Sequence, residues 1–228
     1  MFEPQKDLSG WKTAPLPRPT PLRGRYVSLE PLDAEVHTAD LWRAVQDHDE
    51  VWTYLGDGPY ASEPDLRRAL EEKQAGSGAV FFAVVPQATG RVAGYASYMR
   101  MDSANGVIEV GNIMLAPSLQ RTIAATAAMY LMARHIFEDL GYRRYEWKCN
   151  ANNEPSRRAA LRFGFTFEGI FRQHMVIKGT NRDTAWFSML DSEWPARKTA
   201  FEAWLDPANF DSDGRQRKSL VQLSGCRS

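Results

Sequence analysis

The stretch Glu109 to Thr126, EVGNIMLAPSLQRTIAAT, combines residue types that suit chemistry beside an anion. An apolar strand with an acid near its start runs into a turn at Ala116–Pro117. A helix then opens on small and hydroxylated residues. The first N–H groups of a helix have no internal partner and carry the positive end of its dipole, so they can hold an anionic ligand. With Glu109 at the strand's start, the pattern points to acid–base chemistry next to a phosphate-bearing cofactor.

The elements that must position these residues follow from periodicity and punctuation. Pro15, Pro17, Pro19 and Pro21 alternate, so residues 1–24 form an extended arm rather than a helix. The segment 25–32 alternates as a first strand. Asp33 caps a helix running to Gln46, with Val36, Leu41 and Val45 in its apolar stripe. The loop VWTYLGDGPY, 51–60, gathers aromatics, glycines and a proline, and Ser62 caps a second helix to about Gln74. Strands over 80–85 and 92–100 form a hairpin, and DSANG turns into a strand over 107–115. A helix from Leu119 to Leu140 ends at Gly141, where a C′ glycine fits. A strand over 143–149 and a helix opening at Pro155 follow. Strands over 165–177 and 184–190 then form a last hairpin around KGTNRD, and a helix over 192–205 closes the series. The order β-α-α-β-β-β-α-β-α-β-β-α predicts a mixed sheet with helices on both faces. We expect one domain over 25–205, with 206–228 as a tail.

Composition narrows the classes. The chain has 228 residues, 43% of them hydrophobic, and 28 basic residues balance 28 acidic ones. No global field attracts nucleic acid or an anionic membrane. The run Arg215 to Lys218 reads as a solvated tail. Cys149 and Cys226 alone give no disulfide framework. The start, MFEPQKDLSGW, lacks the charged-then-apolar order of a secretory signal, and no apolar run is long enough to span a bilayer. A cytoplasmic location is expected by default. The histidines show no metal-ligand spacing, so no metal is expected, and neither dinucleotide nor P-loop glycine signatures occur.

EVGNIMLAPSLQRTIAATAAMYLM, NNEPSRRAALRFGF and FEGIFRQHMVIKGTNRDTAWFSMLDSEW, with VWTYLGDGPY more weakly, resemble the GCN5-related N-acetyltransferase (GNAT) superfamily. The likeness covers about 22–195 and is greatest to the group containing the ribosomal-protein N-terminal acetyltransferases. It implies an α/β (α+β) fold with a mixed, mostly antiparallel twisted sheet of about seven strands, and acetyl-CoA as cosubstrate. The family's pyrophosphate turn, Gln/Arg-x-x-Gly-x-Gly/Ala, falls on 120–125. Gln120 and Ala125 match it, but Ile123 replaces the central glycine. A β-branched residue does not take φ > 0 cheaply, so we expect right-handed or extended backbone throughout this loop. By resemblance Arg121, Thr122, Ile123, Ala124, Ala125 and Thr126 surround the pyrophosphate, with Arg121 adding charge and the threonines hydroxyls. Ile113, Met114 and Leu115 line the pantetheine arm. Asn153 and Ser156 match an Asn-x-x-Ser that touches the arm, and Asn153 also suits a helix cap. Arg157 and Arg158 either reach the adenosine phosphates or lie on the helix surface.

Acetyl transfer from a thioester to an amine needs a deprotonated amine, a stabilised oxyanion and a leaving thiolate. Deprotonating a lysine amine at pH 7 costs about 4.6 kcal/mol, whereas an α-amine costs about 1.4 kcal/mol, so a modest base suffices for the latter. Glu109 matches an acid common in the family and is the base candidate, with Gly111 and Ile113 expected on the same strand face. The Met114 N–H is the expected oxyanion donor. Superfamily members often protonate the thiolate from a tyrosine on the helix after the fifth strand. That helix here carries Phe163 and no tyrosine, which leaves Ser156 or water. Cys149 is expected to be a buried inert thiol rather than an acetylated intermediate, and His135 and His174 to be structural or at the surface. Trp52, Tyr54 and Tyr60, with Asp57 and Asp183 for negative charge, are the expected acceptor contacts and would favour a cationic amine. The leading reading is N-acetyl transfer to a protein N-terminus or a small amine. A catalytically inactive acyl-CoA sensor or interaction module is the alternative. A homodimer is compatible with the arm and the tail.

Overall fold

A computed structural model describes residues 7–225. Its sheet has eight strands in the order β1-β2-β3-β4-β5-β6-β8-β7. Those strands are β1 (Leu22–Arg23), β2 (Val27–Pro31), β3 (Ala79–Pro86), β4 (Gly94–Asp102), β5 (Val107–Leu115), β6 (Arg144–Asn150), β7 (Thr166–Ile177) and β8 (Thr180–Leu190). Every neighbouring pair is antiparallel except β5·β6. The expected count of about seven is one short, because the two residues of β1 lie in the proline-rich arm, where periodicity gives no signal. β8 also begins four residues earlier than expected, since the hairpin turns at Lys178 and Gly179, both with positive φ.

Helices α1 (Ala34–Val45) and α2 (Glu63–Ala75) cover one face, and α3 (Ile123–Arg134), α4 (Glu154–Arg162) and α5 (Trp194–Leu205) the other. Both expected caps form: Asp33 accepts from the Glu35 and Val36 amides at 2.9 and 3.3 Å, and Ser62 from Asp65 N at 3.4 Å. Val36 is not in the buried stripe and is 69% exposed. The buried positions are Ala34, His37, Thr38, Leu41 and Val45, and a helix turns Val36 away from that spacing. From Ala125 to Ala133 α3 is buried all round, because the sheet lies on one side and α5 on the other. It also ends earlier than expected, passing into one π-helical turn, His135–Asp139, before Gly141 at φ +66°.

The ends are tied down. In the arm, Trp11 Nε1 donates to Ala104 O at 2.7 Å and its ring rests on the β4–β5 turn. At the other end Trp204 Nε1 donates to Gln216 Oε1 at 2.7 Å, and α6 (Leu220–Ser224) buries Leu220 against α5. Residues 1–6 and 226–228, Cys226 among them, lie outside the described residues.

Gly106 has φ +61°, and a Cβ there would come within 2.5 Å of the Trp11 ring. Gly106→Ala should therefore cost about 1–3 kcal/mol, read as a lower denaturation midpoint together with faster proteolysis near Trp11. An unchanged midpoint would show that the turn does not seat the arm.

Candidate active site

β5 and β6 stay paired only from Val107·Arg144 to Val110·Trp147. β5 then continues along β4 to Leu115, while β6 continues along β8 to Asn150, so the two strands part in a V. The departure coincides with a bulge. Ser97 pairs with Gly111 and Tyr95 with Met114, so β5 carries one extra residue there, and Asn112 takes φ +48°.

The bulge reverses the alternation that strand periodicity leads one to expect. Glu109 and Gly111 share one face, but Ile113 turns over to pack with Ile108 and Val110 against the α3 side. Met114 takes the α1–α2 side and is 1% exposed. Its amide is not available as an oxyanion donor. Ala116 N donates to Ala93 O at 2.9 Å, and Met114, two residues earlier on the same ladder, points its N–H to its partner Tyr95. The Leu115 amide faces away from β4, into the V.

Beyond β5, Gln120 Nε2 donates to Leu115 O at 2.9 Å and closes the turn. Arg121 is exposed and adopts φ +63°. The loop is therefore not right-handed or extended throughout: its left-handed residue stands two positions before Ile123, which keeps helical backbone. Thr122 caps α3, accepting from Ala125 N at 3.1 Å and donating to Leu119 O at 2.7 Å. Thr126 is buried, and Arg162 donates to its hydroxyl at 3.1 Å. Neither hydroxyl is spare for a phosphate, and Ala125 N is also spent. Ile123 and Ala124, as the first two helical residues, have no intrahelical acceptor. They open on a groove of about 810 Å³ whose wall also carries Arg25, Arg91 and Arg43, the last paired with Asp40 on the same wall. The isoleucine side chain packs partly against the core and leaves the groove open. Amides, arginines and space fit a polyphosphate.

On the α1–α2 face an ion-pair ladder crosses the base of the V. Glu109, 3% exposed, accepts from Arg100 at 2.8 and 3.1 Å and lies 3.0 Å from Lys148 Nζ. Lys148 is 2.7 Å from Glu146 and sits 3.7 Å above the Trp186 ring centroid. Arg144 donates to Glu146 and to Glu168. That bond holds the Glu168 carboxyl below its ordinary range and raises the Arg144 guanidinium. The expected base is thus present at the V but fully engaged.

On the α3 side Asn153 caps α4 by accepting from Ser156 N at 3.1 Å. Ser156 Oγ accepts from Trp147 Nε1 at 3.0 Å. Tryptophan can only donate, so the Ser156 hydroxyl hydrogen is left to be given elsewhere. It is within reach of Cys149, whose buried thiol is pushed up by desolvation despite that bond. Arg158 pairs with Glu154 on the helix surface, and Arg157 donates weakly to Ala151 O.

The expected acceptor residues fare differently. Trp52 is 1% exposed and belongs to the core beneath α1 and α2, its ring edge-on to Tyr60 at 5.0 Å. Tyr60 donates to Asp57 at 2.6 Å, and Lys73 also pairs with Asp57. Burial alone would raise the Asp57 carboxyl, but these bonds outweigh it and hold it low; Tyr60 is pushed up by burial and by Asp57. Asp183 accepts from Gln173 N at 2.7 Å and Asn181 at 3.0 Å, which lowers it. Asp57 braces α2 through Lys73, and Asp183, still partly exposed, braces the β7 bulge. Tyr54 is exposed and donates to Asn152 O at 3.0 Å. The signals missed by sequence are Arg100 and Lys148, whose neighbours are cross-strand rather than sequential. Among the described residues no cluster of metal-ligating side chains occurs, and no helix is long and apolar enough to cross a membrane.

A parallel pair thus parts at a bulge beside a helix N-terminus. The acetyltransferase (GNAT) domain profile matches residues 27–166, and the chain belongs to that family of N-acetyltransferases. A GCN5-related N-acetyltransferase from Brucella melitensis is 51% identical, with a TM-score of 0.94 over 96% of this chain and 100% of that one. A probable acetyltransferase of the GNAT family from Chromobacterium violaceum is 40% identical, with a TM-score of 0.80 over 86% of this chain and 98% of that one. The Bacillus subtilis protein named "Putative ribosomal N-acetyltransferase YdaF" is 27% identical over 75% of this chain and 92% of its own.

Lys148→Met leaves Glu109 and Glu146 buried without their shared cation. We expect a loss of about 3–5 kcal/mol in denaturant unfolding; a loss below 1 kcal/mol would mean that the ladder is not needed for the fold.

Proposed function

We propose that this chain transfers the acetyl group of acetyl-CoA directly to a primary amine. The observation that carries the reading is the V between β5 and β6, opening beside the unspent amides of Ile123 and Ala124. Those amides, with Arg121 and the groove arginines, would hold the pyrophosphate and adenosine phosphates. The Ile113 to Leu115 edge would hold the pantetheine arm. Acetyl-CoA supplies an acyl group already activated as a thioester.

The Leu115 N–H takes the oxyanion role in place of Met114. Glu109 receives the amine proton. Arg100, 41% exposed, is the partner that can swing aside to release a carboxylate oxygen, while Lys148 stays buried. Ser156 gives its hydroxyl hydrogen toward the departing sulfur. An α-amine fits a base engaged in this way better than a lysine does, since about 1.4 kcal/mol rather than about 4.6 kcal/mol is needed at pH 7. The name of the Bacillus subtilis relative supports a ribosomal acceptor, whose α-amine would be a protein N-terminus.

Release of free thiol from acetyl-CoA across a panel of peptides and small amines tests the activity. Glu109→Gln should lower kcat/KM by about 100-fold, with CoA affinity changed less than about threefold because Glu109 is not on the phosphate groove. Full turnover by the variant removes Glu109 from the chemistry. Ser156→Ala should lower kcat by about tenfold or more, and Cys149→Ala should leave it unchanged; an inactive Cys149→Ala enzyme would favour an acetyl-cysteine route instead. Ile123 and the missing tyrosine favour a second reading, a CoA-binding sensor. Tight calorimetric binding of CoA with no thiol release from any amine would select it.

A further inference from the structure

The charges around the V do not match a cationic acceptor. Asp57 is paired with Lys73, and Asp183, which accepts only from the neutral Gln173 and Asn181 groups, keeps its charge on the face of β8 opposite the ladder. On the ladder the carboxylates of Glu109, Glu146 and Glu168 are matched by Arg100, Lys148 and Arg144, so it contributes no net charge. Two cations near the mouth lie outside these pairs, Lys178, which donates to a backbone carbonyl, and Arg182. Arg182 on β8 shares the ladder's face, two residues from Thr184 and four from Trp186. Among the described residues its side chain makes one hydrogen bond, from Nε to Thr184 Oγ1 at 3.2 Å, and no ion pair.

Its position makes that surplus useful. β6 ends at Asn150, opposite Thr184, so no strand residue of β6 lies beside Arg182. It stands beyond the strand's end, at the mouth of the V. The charge of Arg182 acts on Cys149 on one face of β6 and on Glu109 and Arg100 on the other. Two ties close a rim around this mouth. Lys178 Nζ donates to Trp52 O at 3.0 Å and joins the β7–β8 turn to the loop between α1 and α2. Tyr54 joins that loop to Asn152. The terminal nitrogens of Arg182 are unpaired and not buried away from solvent, so they are open to an anionic partner, and the planar fork suits a carboxylate.

We propose that Arg182 binds a carboxylate on the acceptor, so that the enzyme prefers amines carrying an acidic group near the reacting nitrogen. The class is an amino-carboxylate, from either an acidic N-terminal peptide or a small amino acid. This rests on the acetyl-transfer reading and reverses the acceptor charge expected from Asp57 and Asp183. Burial lowers the Arg182 guanidinium from its ordinary value, in keeping with an unmet partner.

The test uses seryl hexapeptides that differ only in Asp-Asp, Asn-Asn or Lys-Lys at positions two and three, and β-alanine beside its amide. Wild type should show kcat/KM about tenfold higher for Asp-Asp than for Asn-Asn, and lower still for Lys-Lys. A preference confined to β-alanine over its amide would support the proposal with a small amino acid as the source. Arg182→Gln should bring the acid-to-amide ratio within about twofold of one, chiefly through KM, and Arg182→Lys should keep part of it. Unchanged CoA affinity checks that the variants are folded. A wild-type ratio at or below one for both acceptor types, or a ratio that survives Arg182→Gln, overturns the proposal. Calorimetric binding of the same acceptors to CoA-loaded protein separates the two readings. An Arg182-dependent acidic preference in binding, with no thiol release, rejects acetyl transfer and keeps the Arg182 site. Turnover without any charge preference in rate or binding rejects the site and keeps acetyl transfer.

Discussion

A parallel strand pair normally extends as far as both strands run, because each added residue satisfies further backbone groups. Here β5 and β6 give up that gain after Val110 and Trp147. The extra residue at Asn112 makes the parting structural rather than incidental. It shifts the β5 register on β4 and reverses which side chains face which core. Ile113 and Leu115 are thereby anchored on the α3 side and Met114 on the α1–α2 side, so both faces of the separated edge are held by packing. The cleft is an exposed strand edge with a rigid backing, as a site that must position a reacting carbonyl requires.

Parting the strands removes backbone pairing at the place where the sheet also lacks helical cover on one face. The ladder from Arg100 to Glu168 occupies that face. Its charges alternate along the strands, so the buried Glu109 and Glu146 each have a cation on both sides, and the exposed Glu168 has Arg144 and the Ser188 hydroxyl. An apolar layer would have packed as well, and buried ion pairs seldom beat it on stability alone. What the ladder supplies is a carboxylate at the apex with one buried and one exposed partner. A reactive group needs that asymmetry, because the exposed partner can leave without unfolding the site.

Much of the fold was legible because it rests on local signals. Asp33 and Ser62 cap as expected, Val107–Leu115 is a strand end to end, and Asn153 opens α4. The readings that failed depend on information that lies across strands. Ile113 was placed on the Glu109 face by strict alternation, and a bulge is invisible without the partner strand. Trp52, Asp57 and Asp183 have the residue types of a binding site, but their partners, Tyr60, Lys73, Gln173 and Asn181, are fixed by packing and turn geometry. Ile123 at the glycine position predicts a phosphate turn with no left-handed residue, whereas Arg121 takes that conformation.

That last displacement explains how Ile123 can stand where the family carries glycine. Glycine in a phosphate turn supplies positive φ, room for the ligand, or both. Arg121 takes over the left-handed conformation, and for a non-glycine residue its cost is of order 1–2 kcal/mol. The Gln120 bond to Leu115 O and the Thr122 cap, on either side of Arg121, offset that cost. Ile123 is then left in helical backbone, where β-branching is no obstacle, and its side chain turns to the core. The two duties of one glycine are divided between neighbours, and the amides that would meet the phosphates stay in place.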